Sequence, residues 1–276
     1  MKPTSARIAA LYYYPVKSCR GLELEQAPLT AAGLDNDRRW MVINAAGRFL
    51  TQREIPRLAL IRPSLAADAL SLDAQGMPSL RIPLAQHGTS RRVRIWQDQC
   101  AAFDEGDAAA DWVTRWLGAE SRLVRFDPSE RRLSSSQWTG RQEAENRFSD
   151  AFPLLVLGIA SLQDLNTRLR VPLPVNRFRP NLLLEGLGPY EEDRIAELRA
   201  DGIRLRIVKP CARCKITTTN QDTGEFEGEE PLATLKTYRY DATLHGVVFA
   251  QNGIVVEGAG RTLHRGQRLE IQWDET

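Results

Sequence analysis

The segment KPCARC at residues 209–214 carries the most reactive side chains of the sequence, because it places Cys211 and Cys214 among four cationic side chains within residues 206–215. Nearby positive charge lowers the pKa of a thiol from its ordinary value of about 8.5, and the thiolate is the form that attacks electrophiles and binds metals. The segment therefore predicts a reactive thiolate, either as a nucleophile or as a metal ligand.

The spacing of the two cysteines leaves several interpretations open. A thioredoxin-like redox pair is disfavoured, because no βαβ unit begins here and a strand is expected to follow in place of a helix. Structural zinc is disfavoured further, since it needs four ligands and no second pair occurs at finger-like spacing. Inert buried cysteines are a strong alternative on spacing alone.

The elements that would position these thiols begin with an antiparallel β region in the first half of the chain. Runs at residues 7–14, 39–44, 49–51, 58–62 and 91–96 are rich in strand-forming residues and separated by turn residues. Gly47 and Gly76 mark the turns of two hairpins, at residues 40–51 and 70–82. Asp107 is expected to cap a helix through Leu117 whose Trp112 and Trp116 belong to the core.

The second half is expected to be mixed, with strands dominating. Residues 127–149 are polar and form either a solvated linker or the rim of an active site, so the domains are placed at 1–125 and 126–276. A buried strand at 152–157 leads to a helix opened by a capping box of Ser161 and Asp164. Further strands are expected at 181–184, 203–208, 246–251, 254–256 and 268–273, with a helix at 232–239.

Composition excludes several classes of protein. The 276 residues are 42% hydrophobic and 26% charged, which is typical of a globular chain able to bury a sizeable core. The formal net charge is only +2, with 37 basic and 35 acidic residues spread along the chain, so nucleic acid is not an expected partner. No apolar stretch approaches the roughly 20 residues of a membrane span. Four cysteines and no signal-like start favour a cytoplasmic protein.

Seven ordered segments resemble the MOSC family, which includes bacterial MOSC oxidoreductases and the mitochondrial amidoxime reducing component. They are YPVKSCRG at 14–21, DRRW at 37–40, TQRE at 51–54, SDAFP at 149–153, NRFRPN at 176–181, the cysteine pair with ITT at 216–218, and QDTG at 221–224. The resemblance implies a β-rich α+β fold, with an N-terminal β-barrel-like domain followed by a MOSC-type mixed β-barrel domain carrying a few helices.

The resemblance also implies a molybdenum cofactor, in which a pyranopterin dithiolene and one protein cysteine hold the metal. The matching metal ligand is Cys214, a soft donor suited to the metal, and Cys211 is then a neighbour. Positions implied to bind the cofactor are Lys17, Ser18, Arg38, Arg177 and Arg179 together with Cys214. Catalytic roles are implied for Cys214, Arg179 and Asp150.

Asp150 would assist proton delivery if burial raises its pKa. The activity that the resemblance implies is reduction of N-hydroxylated or N-oxide-type small molecules by oxygen transfer to reduced molybdenum. A separate reductase is the expected electron donor, because no cysteine follows Cys214 to build an iron–sulfur cluster. The alternative function is that of a molybdenum-cofactor carrier or of a persulfide sulfur carrier.

Overall fold

A computed structural model describes residues 2–85 and 88–275 of the chain. The strands within them are β1 Ser5–Tyr13, β2 Leu22–Leu24, β3 Gln26–Thr30, β4 Gly33–Leu34, β5 Trp40–Asn44, β6 Arg62–Leu65, β7 Ala69–Asp73, β8 Leu80–Pro83, β9 Ser90–Ile95, β10 Asp98–Asp104, β11 Ser121–Phe126, β12 Arg132–Leu133, β13 Glu145–Asn146, β14 Leu154–Gly158, β15 Leu182–Glu185, β16 Ile195–Ala200, β17 Ile203–Ala212, β18 Tyr240–Asp241, β19 Gly246–Glu257, β20 Thr262–His264 and β21 Arg268–Trp273.

The helices of the same residues are short. The α-helices are α1 Asp107–Leu117, α2 Ser136–Thr139, α3 Ile159–Arg168 and α4 Leu232–Lys236, and the 3-10 helices are Pro56–Leu60, Val175–Arg177, Glu191–Arg194 and Lys215–Thr218. Each helix in the described part of the chain is too short or too polar to cross a bilayer.

Seven strands form a closed barrel in the order β14, β15, β1, β21, β16, β17 and β19, and β19 pairs back onto β14. The β14–β15 pair is parallel and the other pairs are antiparallel. Closure satisfies the backbone hydrogen bonds along both sides of every strand and leaves no open sheet edge. The interior is filled by fully buried aliphatic side chains such as Ile8, Leu11, Leu198, Leu205 and Leu269.

The barrel draws a strand from each end of the described chain. In β1, Leu11 pairs with Leu182 of β15 and Ser5 pairs with Glu270 of β21, while β3 pairs with β20. Strands from residues 5–34 therefore pair with strands of the second half, and the division at 1–125 and 126–276 stays a prediction. Alternating apolar residues predict that β1 is a strand, but they do not identify which distant strand pairs with it.

The remaining strands before residue 126 form a two-sheet unit, made of the sheet β5–β11–β10–β9, the sheet β6–β7–β8 and α1. Both expected hairpin turns are confirmed, with Gly47 at φ 72° and Gly76 at φ 77°, a conformation that glycine adopts without a Cβ penalty. The β-rich α+β fold class with two β units and few helices is confirmed.

Helix α1 matches the expected bounds, although Gly106 occupies the N-cap position expected for Asp107. Trp112 and Trp116 are buried in the core of the two-sheet unit, as expected. The expected strand at residues 58–62 is mostly wrong. A 3-10 helix covers Pro56–Leu60, because Pro56 at its start fixes φ in the helical range and lacks the N–H that a strand would use.

The expected capping box is also wrong, since α3 begins at Ile159, two residues before Ser161. Inside the helix, the Ser161 hydroxyl donates to Glu192 at 2.6 Å and accepts from the Tyr190 backbone N–H at 2.8 Å. A tertiary partner for Ser161 therefore replaced the local capping role. Strand β16 was not expected, and the two strands expected at 246–251 and 254–256 are the single strand β19.

Candidate functional site

A cleft of about 250 Å³ lies where the barrel meets the two-sheet unit. Its wall combines segments that are far apart in sequence, from residue 17 to residue 252. Six cationic side chains and one carboxylate line it, namely Lys17, Arg38, Arg53, Arg179, Lys209, Arg213 and Asp150. Both cysteines of the KPCARC segment also line the cleft. Six of the seven expected site residues, all except Arg177, therefore meet in one place together with Cys211.

Lys17 lies in the loop that follows β1, and this loop is fixed by a hydrogen bond from the Lys17 backbone N–H to the Trp40 carbonyl at 2.8 Å. The Lys17 ammonium donates to the Phe148 carbonyl at 2.7 Å and forms an ion pair with Asp150. Burial lowers the pKa of Lys17 to about 8, against the opposing effect of the Asp150 charge. The neighbouring Ser18 is also buried.

Asp150 is held by donors on three sides, since its carboxylate accepts from Lys17, from Arg53 at 3.2 Å and from the indole N–H of Trp96 at 3.3 Å. Burial acts to raise the pKa of Asp150, but the charges of Lys17 and Arg53 outweigh it and hold that pKa well below its ordinary value. Proton delivery by Asp150 was expected only if its pKa were raised. Because the pKa is lowered instead, Asp150 is ionised at neutral pH.

Arg38 and Arg179 lie on either side of the Tyr14 ring, with guanidinium carbons 4.2 and 4.1 Å from its centroid. Arg38 pairs with Asp37 and donates to the Arg179 carbonyl at 3.3 Å, while Arg179 donates to the Cys19 carbonyl at 2.8 Å. Burial lowers the pKa of Arg179 to about 10. The aromatic ring thus holds two like charges close together, through the attraction of each cation to its π face.

Cys214 lies at the start of the 3-10 helix Lys215–Thr218, just beyond the end of β17. The Arg53 guanidinium is close enough to interact electrostatically with its thiol as well as with Asp150. The Cys211 sulfur instead accepts from Arg213 at 3.0 Å, and Cys211 packs against a core cluster of the barrel. The two thiols therefore have different neighbours, although both are partly exposed in the same cleft.

Comparison with known proteins bears on this arrangement. The family model described as the MOSC N-terminal beta barrel domain matches residues 5–120, and that of the MOSC domain matches residues 143–270. The chain belongs to the MOSC family. Mitochondrial amidoxime-reducing component 1 of Mus musculus is 40% identical over 84% of this chain and 71% of that protein, and its Homo sapiens counterpart is 38% identical over 84% and 72%.

Among solved structures, a solution structure of a Bordetella bronchiseptica protein is 28% identical over 37% of this chain and 86% of that chain. Its TM-score of 0.31 is too low to carry an argument about this fold.

The backbone of this MOSC protein is strained at three of the expected site residues. Ser18, Arg38 and Arg179 have φ values of 65°, 45° and 56°, in the left-handed region that side chains with a Cβ seldom adopt. Such conformations cost on the order of 1–3 kcal/mol each and concentrate at functional sites. The packing of the MOSC barrel and the two-sheet unit holds these residues in place despite that cost.

Arg177 is the expected cofactor-binding residue that the structure does not bring into the cleft. It is buried beneath the cleft wall, forms an ion pair with Glu227, and is not among the lining residues. Its neighbour in sequence, Arg179, reaches the cleft because residues 176–181 turn sharply at its positive φ. The order of polar and apolar residues in NRFRPN does not reveal that turn.

Arg53 and Arg213 line the cleft and were not selected as site residues from the sequence. Arg53 belongs to the TQRE segment and Arg213 to KPCARC, so both lay inside segments that carry the family resemblance. A single arginine at either position usually indicates a solvated surface, and its contact with a distant acid or thiol is visible only in three dimensions. The signal available was therefore the motif itself.

The polar segment at 127–149 reaches the cleft at its last residue, Ser149, which is one of the lining residues. Its Arg132 is buried and donates to the carbonyl oxygens of Arg147 at 2.8 Å, Ser149 at 2.7 Å and Asp150 at 3.0 Å. Arg132 also pairs with Asp98 of the two-sheet unit at 2.7 Å. This one guanidinium fixes the backbone that presents Asp150 to the cleft.

Buried contacts between the two units hold the cleft walls together. Gln52 and Gln221 donate to each other through their amides at 3.2 and 2.9 Å, and Gln52 also donates to the Ser18 carbonyl at 2.7 Å. Gly224, at φ 67°, lies so close to Leu60 that a Cβ would approach its Cγ to 2.8 Å. The TQRE and QDTG segments of the MOSC pattern thus meet across this interface.

Proposed function

We propose that the cleft binds a molybdenum–pyranopterin cofactor and reduces N-hydroxylated or N-oxide-type compounds, with electrons from a separate reductase. The observation that carries the proposal is the Cys214 thiol in a cleft lined by six cations and a single carboxylate. The mouse and human relatives are named amidoxime-reducing components, which supports the same reaction class. Their names also place those proteins in mitochondria, so a cytoplasmic location for this chain stays a prediction.

The donors present fit such an anionic cofactor. Buried charge needs compensation, and a cleft with a surplus of cations favours an anion such as the phosphate of a pyranopterin. Two buried guanidinium nitrogens at the cleft, Nη1 of Arg53 and Nε of Arg213, have no hydrogen-bond acceptor in the described structure. Lys17, Ser18 and Arg38 would hold the cofactor from one wall, and the Cys214 thiolate would ligate the metal from the other.

When bound, the cofactor would supply redox chemistry that passes two electrons from the donor to the N–O group of the substrate. For an amidoxime, two electrons and two protons give the amidine and one water. Arg53 and Arg179 would orient the polar N–O group by hydrogen bonding, since guanidinium groups suit oxygen acceptors. The Nζ of Lys17, whose pKa is about 8, can exchange a proton near neutral pH, and Asp150 holds that ammonium in place.

Two cysteine variants test this proposal with matched controls. Protein made in a molybdenum-replete host is assayed for bound molybdenum and for benzamidoxime reduction with dithionite-reduced methyl viologen. We expect stoichiometric molybdenum and turnover in the wild type and in Cys211→Ala, and loss of both in Cys214→Ala. Molybdenum retained in Cys214→Ala contradicts the ligand assignment. Molybdenum bound without turnover of any N-hydroxylated compound favours the carrier function instead.

A further inference from the structure

Trp96 is a large aromatic side chain that stays 43% exposed and contacts Arg53 and Asp150 of the cleft wall, although it is not itself one of the lining residues. It occupies the two-residue loop between β9 and β10, where Ile95 pairs with Asp98. Its φ of 54° is the conformation for which such hairpin loops favour glycine or asparagine. Turn geometry therefore does not account for a tryptophan at this position.

Contacts with the site fix the orientation of the Trp96 indole. Its N–H donates to Asp150 at 3.3 Å, the Arg53 guanidinium lies 4.6 Å from its ring centroid, and the Phe49 ring lies 5.0 Å away. Arg53 and Asp150 both line the cleft, so the indole stands beside them with part of its surface open to solvent. A fixed aromatic surface next to a polar cleft provides packing area at little cost in side-chain entropy.

We infer that Trp96 is a specificity-determining residue, an aromatic side wall against which the planar part of the substrate packs. The inference rests on the proposed function and narrows its substrate class to N-hydroxylated groups conjugated with a flat ring. Such a substrate gains aromatic contact with the indole while its N–O group faces Arg53 and Asp150. A small aliphatic substrate makes the same polar contacts but leaves the indole uncovered.

The test compares an aromatic with an aliphatic substrate on molybdenum-loaded protein. The KM and kcat for benzamidoxime and acetamidoxime are measured with reduced methyl viologen for the wild type, Trp96→Ala and Trp96→Phe. We expect Trp96→Ala to raise the KM for benzamidoxime about fivefold to tenfold, as loss of one aromatic contact implies, with little change in kcat. The KM for acetamidoxime should be unchanged.

The second variant and a control separate packing from hydrogen bonding. Trp96→Phe keeps an aromatic face but loses the N–H donated to Asp150, so it should restore most of the benzamidoxime KM. Tyr240→Ala removes another exposed aromatic, which lies on β18 opposite Val247, and it should change neither KM. An equal KM change for both substrates, or no change for either, would overturn the role of Trp96. Absence of any amidoxime reduction by the wild type would instead overturn the proposed function, and this inference with it.

Discussion

The cationic side chains of the two-sheet unit and those of the cleft differ in how their charge is compensated. In the two-sheet unit, Arg125 is 1% exposed and pairs with Glu105 at 2.9 Å, and that carboxylate also accepts from the Trp40 indole at 2.6 Å. In the cleft, six cations line the wall with one carboxylate, Asp150, which pairs with only two of them, Lys17 and Arg53. A compensated charge serves the fold, whereas a surplus of one sign prepares a site for an oppositely charged ligand.

The largest expected loss of stability comes from replacing Arg125, the cation that is paired with Glu105. Arg125→Met leaves Glu105 buried without its partner, and we expect the free energy of unfolding to fall by about 3–5 kcal/mol. Urea denaturation of protein from a host that makes no molybdenum cofactor measures the loss. The control is Lys17→Met, which removes a cleft cation and should leave that free energy unchanged or higher. An equal loss in both variants would erase the distinction between the two places.

The second prediction concerns the cleft cation Lys17 and how the free energy of unfolding changes with pH. The pKa of Lys17 is about 8 in the folded protein and 10.5 as its ordinary value, so the unfolded chain binds more protons between these pH values. Because of Lys17, the free energy of unfolding should therefore rise with pH from 8 to 10.5, by at most about 3 kcal/mol. It should fall by the same amount as the pH is lowered through this range. Measuring the free energy of unfolding against pH for the wild type and for Lys17→Met, and subtracting the second from the first, isolates this effect. A difference that does not change with pH would contradict the lowered pKa of Lys17.

The smallest expected effect concerns Gln52 and Gln221, two uncharged side chains that hydrogen-bond to each other. The Gln52 and Gln221 amides satisfy each other between the two units, so a double-mutant cycle with alanine should give a coupling free energy of about 1 kcal/mol. Cofactor-free protein and urea denaturation suit this measurement too. A coupling near zero would mean that the cleft walls are held together by other contacts, such as the packing of Gly224 on Leu60.

The sequence predicted those helices and turns that are determined by residues close together in the chain. The hairpin turn at Gly47 and the helix Asp107–Leu117 follow from a glycine in the left-handed region and from apolar spacing, and both are confirmed. Ser161 was misassigned because its partner, Glu192, lies 31 residues away in sequence. Pro56 was overlooked as the start of a helical turn. Elements fixed by distant partners could not be read from their own residues.

Some features of the candidate site could likewise be predicted from the sequence, whereas others depend on distant residues. Family motifs selected Lys17, Ser18, Arg38, Arg179 and Cys214, which the fold brings to one cleft from opposite ends of the chain. The sequence did not reveal that Asp150 is ionised, because that depends on two cations contributed by other loops.

The pairing of β1 also bears on how the chain is made. During synthesis β1 emerges early, but its neighbours β15 and β21 emerge late, and Ser5 must find Glu270 before the barrel can close. The two-sheet unit, whose strands lie close together in sequence, can fold while the ribosome is still adding the barrel. Contacts at such long sequence separation are slow to form, and until they do β1 has only its local partner β2. The cleft, whose lining extends to Asn252 of β19, can therefore form only after β19 has been synthesised.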